Sequence, residues 1–185
     1  MKSLILSFVI LFLSSAAIAQ LPQTGYIGLY SDEYHSTQCV SGTGFYPFTI
    51  WVWCLPSVNG TMCAEFDIIY PANVITSTVT LNHDLSMWWD PFPGPGTSVC
   101  YYECQYDWHW LFYRAMYCTD ETQTIIAIAP HPDAGTYQLA NCYPGYPIEP
   151  CIAYPAVLVN VLPEDCPDII GTEETSWGAI KSLYR

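Results

Sequence analysis

Short stretches in which hydrophobic and polar residues alternate run through most of the chain and predict β-strands. In "CAEFDIIY", for example, Ala64, Phe66 and Ile68 alternate with polar neighbours. Ten predicted strands, separated by turns rich in Pro, Gly and Asn, span 25–30, 46–55, 62–70, 74–80, 85–89, 97–103, 108–117, 124–129, 136–141 and 155–161. This pattern predicts an all-β fold, an antiparallel β-sandwich of the jelly-roll or immunoglobulin-like kind with about 9–10 strands.

The second and third predicted strands form the clearest hairpin of the sequence. If its turn lies at Val58-Asn59, Cys54 falls directly opposite Cys63. Directly opposed residues of neighbouring strands come within reach of a disulfide, so a Cys54–Cys63 bond is predicted. The same register puts Trp51 and Trp53 on the hydrophobic side of the hairpin.

The segment "FTIWVWCLPSVNGTMCAEFDIIYPANVITSTVT", within residues 46–80, resembles the opening of cohesin-type domains. In those domains a strand, a turn and a second strand lead to a Tyr-(Asp/Pro)-x-x-Val element and a further strand. The resemblance implies a jelly-roll sandwich, but no dockerin-contact residues can be carried over, and the cysteine content departs from that of ordinary cohesins. The chain also resembles secreted proteins of environmental bacteria that end in a segment like "SWGAIKSLYR", which implies no specific activity.

A second stretch, "SVCYYECQYDWHWLFYRAMYC" at residues 98–118, alternates just as clearly. From residue 100 to 112 its even positions are cysteine or aromatic residues, whereas Glu103, Asp107 and His109 occupy odd positions. The alternation predicts a hairpin with a break near 105–107, an apolar even-numbered face and a wetter odd-numbered face.

Glu103, Asp107 and His109 are weak candidates for a divalent metal site, because they would meet near this turn. The spacing matches no zinc motif, and the cysteines lie on the opposite face from the histidine. A structural role is therefore favoured, and no metal or cofactor is predicted.

The ends of the chain differ from its middle. Lys2, an apolar run and the small-x-small site at 17–19 match a secretory signal peptide over residues 1–19. Residues 20–162 are predicted as the sandwich domain, and residues 163–185 as an acidic linker followed by a short amphipathic helix. The helical face is formed by Trp177, Ile180, Leu183 and Tyr184.

Charge and cysteine content indicate which classes of partner are excluded and which compartment the chain occupies. The chain has 17 acidic residues against four Lys and Arg, with a formal net charge of −13. Such a chain repels nucleic acid and anionic membranes, so nucleic-acid binding is not predicted. No segment reaches about 20 apolar residues, so membrane insertion is not predicted either. All nine cysteines follow the signal peptide, which predicts a disulfide framework in an oxidising compartment.

Nine cysteines predict four disulfides and one leftover thiol. Besides Cys54–Cys63, a second pair is predicted between Cys142 and Cys151, across a loop rich in Pro and Gly. Cys118 is predicted to be the leftover, an inert thiol in the core. The remaining pairings stay open.

The functional hypotheses rest on aromatic residues, because no catalytic motif is present and no catalytic residue is predicted. Trp88 and Trp89 are adjacent in a predicted strand, so one of them must point away from the core. Exposed Trp and Tyr side chains bind sugars or partner proteins. The first hypothesis is a secreted, non-catalytic β-sandwich with a structural or recognition role, extracellular or on the cell surface, with the periplasm as an alternative location. The alternative is a carbohydrate-binding module or glycan-active protein.

Overall fold

The computed structural model describes residues 24–41, 44–90, 96–154 and 156–166. These residues form thirteen strands and a short 3-10 helix, Pro163–Asp165. The strands are β1 (Tyr26–Tyr30), β2 (Cys39–Val40), β3 (Pro47–Leu55), β4 (Thr61–Ile69), β5 (Val74–Leu81), β6 (Leu85–Trp89), β7 (Thr97–Gln105), β8 (His109–Cys118), β9 (Thr124–Ala129), β10 (Gln138–Ala140), β11 (Ile148–Pro150), β12 (Ile152–Tyr154) and β13 (Ala156–Val159). The predicted signal peptide and C-terminal helix lie outside the described residues.

The strands form two sheets. The first sheet has the order β12-β1-β3-β8-β5. The second has the order β11-β10-β4-β9-β13-β2, with β7 paired to β4 and β6 paired to β7. The pairing is antiparallel except for β1 with β12 and β13 with β2. The predicted all-β sandwich is confirmed, and no helix among the described residues is long and apolar enough to cross a membrane.

The core lies between the two sheets and is filled by aliphatic and aromatic side chains from both inner faces. On β3 the buried residues are Ile50, Val52 and Cys54, each at most 1% exposed. Trp51 and Trp53 lie on the outer side of the first sheet and are half-buried. The prediction that these tryptophans share the hydrophobic side with Ala64 and Phe66 is therefore wrong.

Both predicted hairpins are instead connections between the sheets. β3 pairs with β1 and β8, whereas β4 pairs with β7, β9 and β10. Likewise β7 belongs to the second sheet and β8 to the first. Each connection therefore carries the chain across the end of the sandwich, and neither joins two paired strands.

The turn between β3 and β4 is held by a carboxylate from a distant strand. The Glu149 carboxylate accepts hydrogen bonds from Ser57 Oγ (2.9 Å), Asn59 Nδ2 (2.6 Å) and Asn141 Nδ2 (2.6 Å). Gly60 completes the turn with a φ of 75°, in the left-handed region that favours glycine. Burial opposes ionisation of Glu149, but these hydrogen bonds together lower its pKa. The turn is thus tied to the edge of the second sheet.

Three disulfides join residues far apart in sequence. They are Cys39–Cys166, Cys63–Cys100 and Cys104–Cys142. The predicted Cys54–Cys63 and Cys142–Cys151 pairs are therefore wrong. Cys63 faces β7 of its own sheet, while Cys54 belongs to the other sheet. Cys142 bonds to the end of β7 rather than across its own loop.

Three cysteines, Cys54, Cys118 and Cys151, are buried and free. The predicted core thiol at Cys118 matches this arrangement, but the predicted total of four disulfides and one thiol does not. Cys54 and Cys151 are the two additional thiols, and burial raises the pKa of the Cys54 thiol far above its ordinary value. Both Cys54 and Cys118 are fully enclosed by the core.

We expect the purified, disulfide-intact chain to show no thiol reactive to Ellman's reagent while folded and three after denaturation without reductant. The physical reason is burial, which makes the three thiols inaccessible to the reagent. Peptide mapping without reduction should recover Cys63 linked to Cys100. One thiol after denaturation, or Cys63 linked elsewhere, would contradict this arrangement.

Candidate recognition surface

A buried ion pair fixes the strand that carries the two predicted binding tryptophans. Arg114 on β8 binds the carboxylate of Asp90, which directly follows β6. The side chains of both residues are less than one-tenth exposed. The Arg114 guanidinium also lies over the Tyr70 ring, 5.5 Å from its centroid. The end of β6 is thereby anchored to the inside of the sandwich.

The two adjacent tryptophans point to opposite sides of the second sheet. Trp88 lies opposite Val99 and packs against the core. Trp89 lies opposite Ser98 on the outer side and is 64% exposed. The outward tryptophan that the sequence requires is therefore Trp89.

Two rows of side chains run from Trp89 across the outer side of the second sheet. Strand register defines both rows over β6, β7, β4, β10 and β11. We call their members the Trp89 surface. They are Trp89, Ser98, Glu65, Gln138 and Pro150 in one row, and Met87, Cys100, Cys63, Ala140 and Ile148 in the other.

The Trp89 surface has apolar side chains at both ends and a disulfide in the middle. Met87 and Ile148 are exposed at its two edges, and the Cys63–Cys100 disulfide joins its two central strands. Glu65 is half-buried and accepts a hydrogen bond from Ser98 Oγ at 3.4 Å. A rigid surface with an exposed tryptophan loses little conformational entropy when a partner binds.

The weak metal candidates do not form one site. Glu103 and Asp107 are exposed, whereas His109 is 8% exposed and points into the core. No group of three or more metal-ligating side chains occurs among the described residues. The odd-numbered face, predicted to be the wetter one, carries the buried Tyr101 and His109, so that prediction is wrong.

His109 is held neutral inside the sandwich. Its Nδ1 contacts the backbone oxygen of Asp107 at 2.8 Å, which suits a protonated Nδ1. Burial lowers the pKa of His109 to about 4, against a smaller opposing effect of this hydrogen bond. Cys54 lies opposite His109 on β3, and its own pKa is raised by burial. Both side chains are enclosed in the core.

The adjacent pair Trp88-Trp89 indicated that one of these tryptophans points outward, but the sequence did not identify the rest of the Trp89 surface. Met87 shares the parity of Trp89, a signal that was available in the strand pattern. Ile148 belongs to β11, a three-residue strand within a segment rich in Pro and Gly, where alternation is too short to detect.

No protein-family profile matches the chain, and no curated protein matches it in sequence. Solved structures that match it are consistently cohesin modules. A cohesin from a family 33 glycoside hydrolase of Clostridium perfringens has a TM-score of 0.53 and 12% identity, covering 75% of this chain and 98% of the cohesin. The sixth cohesin of Acetivibrio cellulolyticus scaffoldin B, in complex with a Cel5 dockerin, has a TM-score of 0.55 and 10% identity, covering 75% and 99%.

A non-cellulosomal cohesin from Archaeoglobus fulgidus has a TM-score of 0.51 and 10% identity, covering 77% of this chain and 94% of the cohesin. Identities this low show a shared fold and nothing more. The resemblance first noted over residues 46–80 is confirmed as a cohesin-like jelly roll.

We predict that His109 makes stability fall as the solution is acidified. Its folded pKa of about 4 lies below the ordinary value of 6.5, so the unfolded chain takes up the proton first. The stability that neutral His109 contributes is fully present above pH 6.5 and is lost as pH falls toward 4. The free energy of unfolding should therefore fall by about 2 kcal/mol between pH 7 and pH 5. Denaturant titration of wild type and His109→Gln should show a shallower pH dependence in the variant. Equal slopes would contradict the assignment.

We predict that a chelator leaves the melting temperature unchanged, because Glu103, Asp107 and His109 do not converge. Reduction should lower it strongly, since each structural disulfide contributes about 2–4 kcal/mol. Thermal unfolding with EDTA, with Ca²⁺ or Zn²⁺, and with a reductant provides the comparison. A rise of several degrees with metal, abolished by Asp107→Asn, would show that a site assembles at this turn.

Proposed function

We propose that this chain is a secreted, non-catalytic recognition module that binds an extracellular protein partner through the Trp89 surface. The observation that supports it best is Trp89 itself, 64% exposed on a strand fixed by a buried ion pair. Large exposed aromatics on rigid strands are typical centres of protein interfaces. The predicted signal peptide and the disulfides fit an oxidising, extracellular location.

Proteins of the same fold suggest the partner class that we propose. Several of the matching cohesins were solved bound to dockerins, including the Acetivibrio cellulolyticus module. A dockerin-like module is therefore the partner that we propose. Charge favours a basic partner. The Trp89 surface carries Glu65, and the one Lys or Arg among the described residues, Arg114, is buried. A partner with basic residues around an apolar centre would be complementary to this anionic chain.

The test is saturable binding of the disulfide-intact chain to a panel of purified dockerin modules. We expect at least one dockerin to bind, and Trp89→Ala to weaken that binding at least tenfold, as for a central interface tryptophan. Tyr46→Ala is the matched control, because Tyr46 is 73% exposed but lies in the loop before β3. Its affinity should equal that of wild type.

Two outcomes would contradict the proposal. One is the absence of binding to every dockerin, or binding that Trp89→Ala leaves unchanged. The other is saturable binding on a glycan array that Trp89→Ala abolishes, which would favour the carbohydrate-binding alternative at this surface.

A further inference from the structure

The outer side of the first sheet carries aromatic side chains that touch one another. Strand register places Tyr30, Trp51 and Tyr113 in one row across β1, β3 and β8, and Trp53 beside Trp110 in the next. We call the whole set the aromatic face. It consists of Tyr26, Tyr30, Trp51, Trp53, Trp108, Trp110 and Tyr113.

Ring contacts hold the central part of this face in place. The Trp51 ring lies 4.3 Å from Tyr113 and 5.6 Å from Trp110, and Trp110 lies 5.9 Å from Tyr113. All three rings are half-buried, so each keeps part of its surface open to solvent. Rings that support one another lose little freedom when a ligand covers them.

At the Trp108 end of the aromatic face, the loop containing His35 packs on the rings and Gly28 lies beneath them. His35 stacks on Trp108 with ring centroids 4.5 Å apart, and its loop is held by Asp32, whose carboxylate accepts backbone hydrogen bonds from Tyr34 and Thr37. A Cβ on Gly28 would lie 2.8 Å from both the Tyr26 hydroxyl and the Tyr30 ring. A glycine there leaves room for both tyrosine rings to lie over the sheet.

The aromatic face is uncharged in a strongly acidic protein. None of the 17 acidic residues lies on β1, β3, β5, β8 or β12. The only Lys or Arg on these strands is Arg114, which points inward to Asp90. Beside the rings stand the hydroxyl side chains of Thr49 and Thr80, which lie opposite Ala115 and Tyr113. The strands of the face therefore combine ring surfaces with hydroxyl groups and no exposed charge, while the acids Asp32, Glu33 and Asp107 lie in the loops at its Trp108 end.

From this arrangement we infer that the aromatic face binds a single, uncharged polysaccharide chain. The carbon–hydrogen faces of sugar rings stack on aromatic rings, while their hydroxyl groups remain hydrated or bond to neighbouring polar groups. A neutral ligand is also indifferent to the negative potential of the protein, whereas an anionic polysaccharide would be repelled.

Charge and ring geometry separate this ligand from other occupants. A second copy would bring another strongly anionic chain against the first, and a basic protein would be drawn toward the acidic regions instead. The rings are also not coplanar: Trp51 makes angles of 77° with Trp110 and 38° with Tyr113. A twisted, soluble chain can follow such a face better than a flat crystalline surface can.

Affinity electrophoresis of the disulfide-intact chain in gels containing soluble neutral polysaccharides tests the inference. Suitable probes are hydroxyethyl cellulose, mixed-linkage β-glucan, xylan and galactomannan, with alginate as the anionic comparison. We expect retardation by at least one neutral polymer and none by alginate. Affinity should change less than twofold between low and high salt, because the contact is uncharged.

Trp110→Ala and Thr80→Glu should each weaken binding at least tenfold, whereas Trp89→Ala should leave it unchanged. Thr80 is exposed beside Tyr113, so Thr80→Glu decides the question if Trp110→Ala proves unfolded by thermal melting. The inference is overturned if no neutral polymer retards the chain, if these variants bind like wild type, or if the face forms a dimer that Trp110→Ala dissociates. Because Trp89→Ala reports on the opposite sheet, failure here leaves the dockerin test unaffected.

Discussion

The buried ion pair between Arg114 and Asp90 sets the orientation of both surfaces described above. Side chains alternate along a strand, so an inward Arg114 requires an outward Tyr113 on β8. An inward Asp90 in the same way accompanies an outward Trp89 at the end of β6. Removing either partner would leave an uncompensated buried charge, a change that costs about 3–5 kcal/mol in other proteins. One interaction at the side of the sandwich thus orients residues on opposite outer faces.

The strands themselves could be predicted closely from the sequence. All ten predicted strands are present, and each of their ends falls within two residues of the predicted position. The three that were missed are β2, β11 and β12, which are only two or three residues long and show no detectable alternation. A run such as Ala64 to Ile68 has one apolar side, and that property alone defines a half-buried strand.

Strand pairing could not be predicted, because alternation specifies a face and not a partner. The short turn at 57–60 is typical of a hairpin, yet Glu149, some 90 residues away in sequence, ties it to the second sheet. On β3 both sides are hydrophobic, so the sequence pattern cannot distinguish the core side from the aromatic side. The compact Ile50 and Val52 fill the interior, while the larger Trp51 and Trp53 pack outside against aromatic rings of β8 and of the segment just before it. The incorrect Cys54–Cys63 pair followed from the assumed hairpin, which placed these two cysteines directly opposite each other.

The metal hypothesis failed because the wrong face of the 98–118 stretch was taken as solvated. Its odd positions Val99, Tyr101, His109 and Leu111 are buried, whereas Glu103 and Asp107, near the connection between β7 and β8, are exposed. The acids at this connection made the whole odd-numbered face look polar. His109 was placed with the solvent-facing acids and is in fact enclosed with Tyr101, 4.8 Å from its ring.

The distribution of charge limits the interactions that the described surface can make with a partner. Arg114 is the one Lys or Arg among the described residues, and it is committed to Asp90 inside the fold. The described surface therefore has no Lys or Arg with which to form ion pairs to an acidic partner. With a neutral partner, affinity would come from burial of aromatic and apolar groups, on the proposed Trp89 surface or on the proposed aromatic face. Acidic residues around these areas repel other copies of this anionic chain.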